Sequence, residues 1–125
     1  LNADDKFYKY FKTKALKRNL KVISFSKKNQ SDIKLEKIKR QKNISIVKVN
    51  IKGTSKNFKI KRNLESFPEN ILASLAVISN FFDLNNISNK FFFNYNLPPG
   101  RGDYKIIKFN KKNKILSSIN FRIIW

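Results

Sequence analysis

The chain has 125 residues, and its 28 lysines and arginines against 8 aspartates and glutamates give a net charge of +20. This length corresponds to one small domain, or to a segment of a larger protein, with a core of modest size. The absence of cysteine and histidine excludes disulfides, thiol nucleophiles, imidazole bases and the usual zinc sites. No apolar run approaches the ~20 residues of a membrane span and no signal-peptide pattern is present, so we expect no membrane partner and a cytoplasmic location.

The basic excess favours a polyanionic partner, because neutralising phosphates releases counterions. A small basic domain that binds nucleic acid is therefore one interpretation of the chain. Against it, only five of the cationic residues are arginine, and the lysines occur in every segment. An even spread of lysine is more typical of a solvated surface than of a binding stripe.

The N-terminal segment predicts strand, turn, helix and strand. LNADD indicates the end of a buried strand, and since the chain starts at Leu1 and contains no methionine, we interpret it as a fragment of a longer protein. Apolar residues recur at helical spacing over residues 5–19, and Asp4 is placed to cap the first turn. LKVISF is short and rich in β-branched and aromatic residues, which predicts a strand. This order is typical of a βαβ unit in a parallel sheet.

The middle of the chain predicts an antiparallel extension of that sheet. SDIKLEKI indicates a strand, and ISIVKVNIKGTSKNFKIKRN alternates apolar and polar residues on either side of GTSKN. Such alternation around a glycine-containing turn predicts a β-hairpin.

Helices and a second hairpin are predicted in the remaining residues. ESFPENILASLAVISNFF predicts the longest helix, with Ser66 and Glu69 as a capping box and Pro68 in the first turn. DLNNISNKFFF predicts a shorter helix, and DYKIIKF and KILSSINF, joined by NKKN, predict a hairpin. Apolar residues expected in the core of the two helices are Ile71, Leu72, Leu75, Ala76, Ile78, Phe81, Phe82 and the phenylalanines at 91–93.

Three polar residues are candidates for ligand contacts. Asn2 lies between a predicted strand and a helix, where open α/β sheets bind ligands, and its amide suits a purine edge; alternatively, its turn only shapes the chain and caps the helix. Arg101 lies between two glycines behind two prolines, on a rigid loop suited to phosphate, unless this loop is only a linker. Asn70, near the start of the long helix, contacts either a ligand or only the local backbone.

These stretches resemble the Mur ligases in order and approximate spacing: LNADD, VISFS with SDIKL, a hairpin, NILASLA on a helix and PPGRG. The resemblance runs from Leu1 to about Lys114, and PPGRG favours the members that join D-alanyl-D-alanine to UDP-MurNAc-tripeptide. It implies an α/β fold in which residues 1–102 are the C-terminal part of the ATP-binding central domain, with a βαβ unit, an antiparallel extension and two helices. Residues 103–125 would then be the first hairpin of a truncated Rossmann-like C-terminal domain.

The resemblance also implies cofactors and site residues. Asn2 would lie by the adenine of ATP, and Arg101 would approach its phosphates and ribose. Asn70 matches the family pattern His-x-x-x-Asn-x-Leu-Ala, in which Ser66 replaces the histidine. The chain has no Gly-x4-Gly-Lys-Ser/Thr loop, so the phosphate loop, the Mg²⁺ ligands and a carbamylated lysine are expected upstream, and the acceptor-binding residues downstream. The segment alone is therefore expected to be inactive.

Overall fold

The computed structural model describes residues 1–96 and the backbone of two further strands, 104–109 and 112–117. The chain divides after Asn94 into two units. In the described residues, the first unit contains a four-stranded mixed sheet and two α-helices, and the second contains a two-stranded antiparallel hairpin. The predicted α/β fold class is confirmed.

The elements follow one another with short connections. In chain order they are helix α1 (Tyr8–Lys17), strands β1 (Phe25–Ser26), β2 (Ile33–Arg40), β3 (Ile44–Ile51) and β4 (Thr54–Lys61), a 3-10 helix (Arg62–Ser66), helix α2 (Pro68–Ile78), a second 3-10 helix (Leu84–Asn86), and strands β5 (Tyr104–Phe109) and β6 (Lys112–Ser117).

The parallel part of the sheet begins at the N-terminus. Asn2 forms a parallel bridge with Phe25, in which the Ala3 amide donates to the Phe25 carbonyl at 2.8 Å and the Phe25 amide donates to the Leu1 carbonyl at 2.9 Å. On its other side β1 pairs in parallel with β2. Residues 1–3, α1 and β1 therefore form the predicted βαβ unit, although β1 is shorter than the LKVISF run.

The antiparallel extension also agrees with the prediction. Strand β2 pairs with β3, and β3 with β4, both antiparallel. The β3–β4 turn contains only Lys52 and Gly53, whose φ angles are 48° and 96°. Two positive φ angles define the type I′ turn that matches the twist of a hairpin. Most of the GTSKN stretch accordingly belongs to β4 rather than to the turn.

The core lies between α2 and the sheet. Helix α2 packs on β1 and β2, and buried residues alternate along β3 and β4, as is typical of strands with one buried face. Phe58 is fully buried and contacts Phe92 edge-on, with ring centroids 5.6 Å apart. The other principal core residues are Ile33, Val47, Val49, Ile60, Leu64, Ile71, Leu72, Leu75 and Ala76.

The predicted capping box at Ser66 is wrong. Ser66 ends a 3-10 helix and is exposed, and α2 begins at Pro68 with no side-chain cap. The physical reason is Pro68, which disfavours the α conformation in the preceding residue. Phe67 accordingly adopts φ −129° and ψ 51°. The Glu69 side chain forms a salt bridge with Lys27 instead.

The C-terminal end of α2 and the helix predicted after it also differ from expectation. Helix α2 ends at Ile78, because the Ser79 hydroxyl and the Asn80 side-chain amide donate to carbonyls of its last turn. Phe81 and Phe82 are therefore exposed rather than in the core. The predicted second helix is limited to Leu84–Asn86, and the stretch after it is tied to β4 by the Lys59 amide, which donates to the Asn89 carbonyl at 2.7 Å.

Candidate functional site

The carboxyl ends of the two adjacent parallel segments carry a connected polar cluster. The Asp4 carboxylate, just after residues 1–3, accepts hydrogen bonds from three consecutive amides in the loop that follows β1. The distances are 2.6 Å from Lys27, 3.3 Å from Lys28 and 3.0 Å from Asn29. The Asn29 side-chain amide donates to the Ala3 carbonyl at 3.0 Å, so the two loops are joined from both sides.

The prediction that Asp4 caps α1 is therefore wrong. Helix α1 has no side-chain cap, and the nearest local bond is that of Asp5, which accepts from the Phe7 amide at 2.7 Å. Burial raises the pKa of Asp4, but the amides of the 27–29 loop outweigh it and hold the pKa of that carboxyl below its ordinary value. Asp4 is thus a fixed negative charge that orders the edge of the sheet.

Lys27 links this cluster to the first turn of α2. Its ammonium forms a salt bridge with Glu69, and this hydrogen bond lowers the pKa of Glu69 and raises that of Lys27. Because the Lys27 amide is bound to Asp4 at the same time, the Asn2–Asp4 turn and the start of α2 meet at one edge of the sheet.

The structure places two of the three predicted site residues at this edge. The Asn2 Oδ1 accepts from the Asp4 amide at 3.0 Å, so half of its amide shapes the turn. Within residues 1–96 the Asn2 Nδ2 donates no hydrogen bond, so this donor remains for a ligand. Asn70 is exposed in the first turn of α2, where its backbone carbonyl accepts from the Ser74 hydroxyl at 2.8 Å. Arg101 lies outside the described residues.

A second polar cluster, which the sequence reasoning missed, lies where β1 meets β2. The Asp32 carboxylate accepts from the Ser24 amide at 2.7 Å and from the Ser24 hydroxyl at 2.6 Å, and the Asp32 amide donates back to that hydroxyl at 3.0 Å. Burial raises the pKa of Asp32, but the two bonds from Ser24 outweigh it, and the pKa is lowered overall. The only sequence signal was the polar run SKKNQSD directly after a strand.

An open groove of about 930 Å³ adjoins this cluster. Ser24 and Asp32 line it together with side chains from α1 and from the β3–β4 turn, including Lys12 and Lys52. Its lining mixes lysines with Asp32 and Glu36, so it presents no uniform charge. Within the part of the chain that the structure describes, no group of three acidic residues is placed to hold a metal ion.

These features define an open α/β domain with polar turns at the carboxyl ends of its parallel strands, the position at which such sheets bind ligands. A family model of the Mur ligase middle domain matches residues 1–78, and the chain belongs to this family. Its members are ATP-dependent ligases of peptidoglycan precursor synthesis, which generally use ATP and Mg²⁺ and act on UDP-MurNAc peptides. The comparison with curated proteins returned no match. Among the described residues, no helix is long and apolar enough to cross a membrane.

Proposed function

We propose that the chain is a segment of a MurF-type ligase, which joins D-alanyl-D-alanine to UDP-MurNAc-tripeptide at the expense of ATP. The observation that carries the proposal is the family match over residues 1–78, combined with the polar edge of the sheet. At this edge Lys27 contacts both the Asn2–Asp4 turn, through its amide, and the first turn of α2, through its ammonium. The choice of the dipeptide-adding member rests on the sequence PPGRG at residues 98–102.

In this proposal the edge of the sheet receives the adenine of ATP. The Asn2 Nδ2 is a hydrogen-bond donor without a partner in residues 1–96, and its orientation is fixed because Oδ1 is held by the Asp4 amide. A purine ring offers nitrogen acceptors to such a donor. The exposed Asn70 side chain, on the neighbouring turn, is assigned to the same nucleotide.

Arg101 is assigned to the phosphates and the ribose. A guanidinium is permanently charged and binds phosphate oxygens in a fixed fork, so its role is that of a clamp and not of an acid or base. When bound, ATP and Mg²⁺ supply the phosphoryl group and the charge neutralisation that activate the tripeptide carboxylate. We assign residues 1–102 to the ATP-binding domain and residues 103–125 to the start of the C-terminal domain.

The test is made on the longer reading frame that contains this chain. Phosphate release is measured with ATP, Mg²⁺, UDP-MurNAc-tripeptide and D-alanyl-D-alanine, and then with single amino acids in place of the dipeptide. We expect turnover only with the dipeptide. Turnover with a single amino acid would be consistent with the Mur ligase family but would refute the MurF-type assignment. Phosphate release without any peptide acceptor would refute the assignment of both UDP-MurNAc-tripeptide and D-alanyl-D-alanine as substrates.

Site variants of the same protein test the residue assignments. Arg101→Ala should lower kcat/KM by about a hundredfold or more, as expected for the loss of a charged transition-state contact. Arg18→Ala, which removes an exposed arginine directly after α1, should not. Asn2→Ala should raise the KM for ATP, with Asn57→Ala, an exposed asparagine of β4, as its control. Equal effects in site and control variants would contradict the assignment.

Nucleic-acid binding through the lysine surface is distinguished by its dependence on salt. A steep fall in affinity with salt and no effect of ATP would show only the electrostatic attraction of a basic surface. Competition by ATP at constant ionic strength would instead support a nucleotide site at the edge of the sheet.

A further inference from the structure

Helix α1 exposes an aromatic patch, which consists of Phe7, Tyr10 and Phe11. These side chains are 52%, 58% and 53% exposed, and no residue of α1 is buried. The rings contact one another edge-on, with centroids 6.5 Å apart for Phe7 and Phe11 and 5.5 Å apart for Tyr10 and Phe11. The helical periodicity of these residues therefore serves a surface rather than the core of the described unit.

The aromatic patch is flanked by cations that form no salt bridge within residues 1–96. Residues 6–18 contain six lysines and arginines and no acidic residue. No salt bridge of residues 1–96 involves any of the six. Two of the lysines lie over rings of the patch, with Lys6 Nζ 4.8 Å from the centroid of Phe7 and Lys14 Nζ 5.6 Å from that of Tyr10. The surface thus combines an excess of positive charge with exposed apolar area.

We propose that α1 lies on the surface of an anionic phospholipid bilayer, with the aromatic patch at the level of the headgroups and the lysines against lipid phosphates. A basic helix with exposed aromatic residues has the composition of an interfacial helix, and its binding adds apolar burial to electrostatic attraction. We predicted no membrane partner from the lack of a spanning segment, but a helix that lies in the interface requires none.

The geometry favours lipid over two other occupants. Single-stranded nucleic acid binds aromatic residues by stacking bases on open ring faces, but here lysines lie over the faces of Phe7 and Tyr10, and the rings of the aromatic patch are close to perpendicular. A second copy of the chain would bring six more cations against the same six, which is repulsive. Insertion of ring edges into an interface requires neither an open face nor an opposite charge on a protein.

The experiment is sedimentation of the 125-residue chain with vesicles of phosphatidylcholine, with and without phosphatidylglycerol. The aromatic variant Phe7→Ser/Phe11→Ser is paired with a control, Phe81→Ser/Phe82→Ser, which removes two exposed phenylalanines from a stretch without lysine or arginine. The charge variant Lys12→Gln/Lys14→Gln is paired with Lys37→Gln/Lys39→Gln on exposed positions of β2, so that net charge falls equally.

We expect binding to the anionic vesicles only. The aromatic variant should weaken it by about tenfold or more, and the charge variant by about fivefold per lysine, while each control changes it by less than about twofold. Because α1 buries no residue, the patch variants should keep the thermal melting of the parent chain, so a loss of binding will not reflect unfolding.

Several results would overturn the proposal. These are equal binding to neutral and anionic vesicles, equal effects of patch and control variants, or loss of single-stranded DNA binding in the patch variants without loss of vesicle binding. A concentration-dependent dimer that the aromatic variant abolishes would assign the patch to a second copy. If this chain binds vesicles but the longer protein does not, the aromatic patch would be assigned to an internal contact of the longer protein. None of these measurements uses ATP or ligase turnover, so their outcome is independent of the proposed function.

Discussion

Removal of the Asp4 carboxylate is the perturbation that best tests the polar edge of the sheet. Asp4→Ala leaves the amides of residues 27–29 without their acceptor, so that the Asn29 side chain, which donates to the Ala3 carbonyl, holds the two loops together without Asp4. The neighbouring Asp5 provides a matched control, because it accepts a single hydrogen bond, from Phe7, at an exposed position.

The expected loss in the free energy of unfolding can be estimated from the three hydrogen bonds that Asp4 accepts. Hydrogen bonds to a charged group contribute about 1.5–3 kcal/mol each, but the Lys28 bond is long at 3.3 Å, and water can replace the acceptor at this partly exposed site. The cost is therefore closer to that of removing a helix cap, about 2 kcal/mol for Asp4→Ala. Asp4→Asn keeps one acceptor oxygen and should cost about 1 kcal/mol, and Asp5→Ala less than about 1 kcal/mol.

Urea unfolding followed by circular dichroism measures these differences, and its pH dependence tests their electrostatic origin. Since the pKa of Asp4 is lower in the folded state than its ordinary 3.8, its contribution is fully present above pH 3.8 and is lost as the pH falls through the folded-state pKa. Other carboxyls with lowered pKa values have the same sign, so the informative quantity is the difference between the parent chain and Asp4→Asn. That difference should shrink as the solution is acidified.

Two outcomes would refute this reasoning. If Asp4→Ala and Asp5→Ala destabilise the chain equally, the loop after β1 does not depend on Asp4. If the difference between parent and Asp4→Asn is constant across the acidic range, the carboxylate charge is not what the amides bind.

Three further predictions concern other parts of the described unit. Ser66→Ala should change the free energy of unfolding by less than about 0.5 kcal/mol, because Ser66 is exposed and does not cap α2; a loss above about 1 kcal/mol in thermal melts would restore the capping box. Gly53→Ala should cost about 1–2 kcal/mol through its φ of 96°, although no atom lies within 4 Å of the added Cβ, and an unchanged urea midpoint would contradict the turn geometry. The pKa of Glu36, lowered to about 2 by the side chains of Lys48 and Ser55, should rise in Lys48→Gln when followed by NMR titration, and an ordinary pKa in the parent chain would exclude this ion pair.

The antiparallel part of the sheet could be predicted because apolar and polar residues alternate over a long stretch of the sequence. Buried residues alternate along β3 and β4, among them Val47, Val49 and Phe58, and the antiparallel pairing follows from a two-residue turn. The helices were less predictable because their ends depend on single residues. Pro68 moved the start of α2, and Ser79 and Asn80 ended it before the two phenylalanines that the periodicity had included.

The candidate site was predictable only in its position. The order strand, turn, helix, strand placed Asn2 at the carboxyl end of a parallel strand, but the partners of Asp4 are 23 to 25 residues away. Capping rules consider near neighbours, so they assigned Asp4 to the helix that follows it. The distant amides prevail because parallel pairing of residues 1–3 with β1 places the two following loops side by side.

The charges at this edge bear on how a nucleotide would be oriented there. Backbone amides at the end of a strand are common binding groups for phosphate, but those of residues 27–29 are already occupied by the Asp4 carboxylate. The ammonium of Lys27, in the same loop, is paired with Glu69. A phosphate at this position would be repelled by the Asp4 and Glu69 carboxylates and would find no free amide in the 27–29 loop, whereas a neutral purine carries no charge to be repelled and can accept from the Asn2 Nδ2. The arrangement therefore supports the proposal that the base binds at the Asn2 turn and that a separate cation, for which Arg101 is the candidate, binds the phosphates.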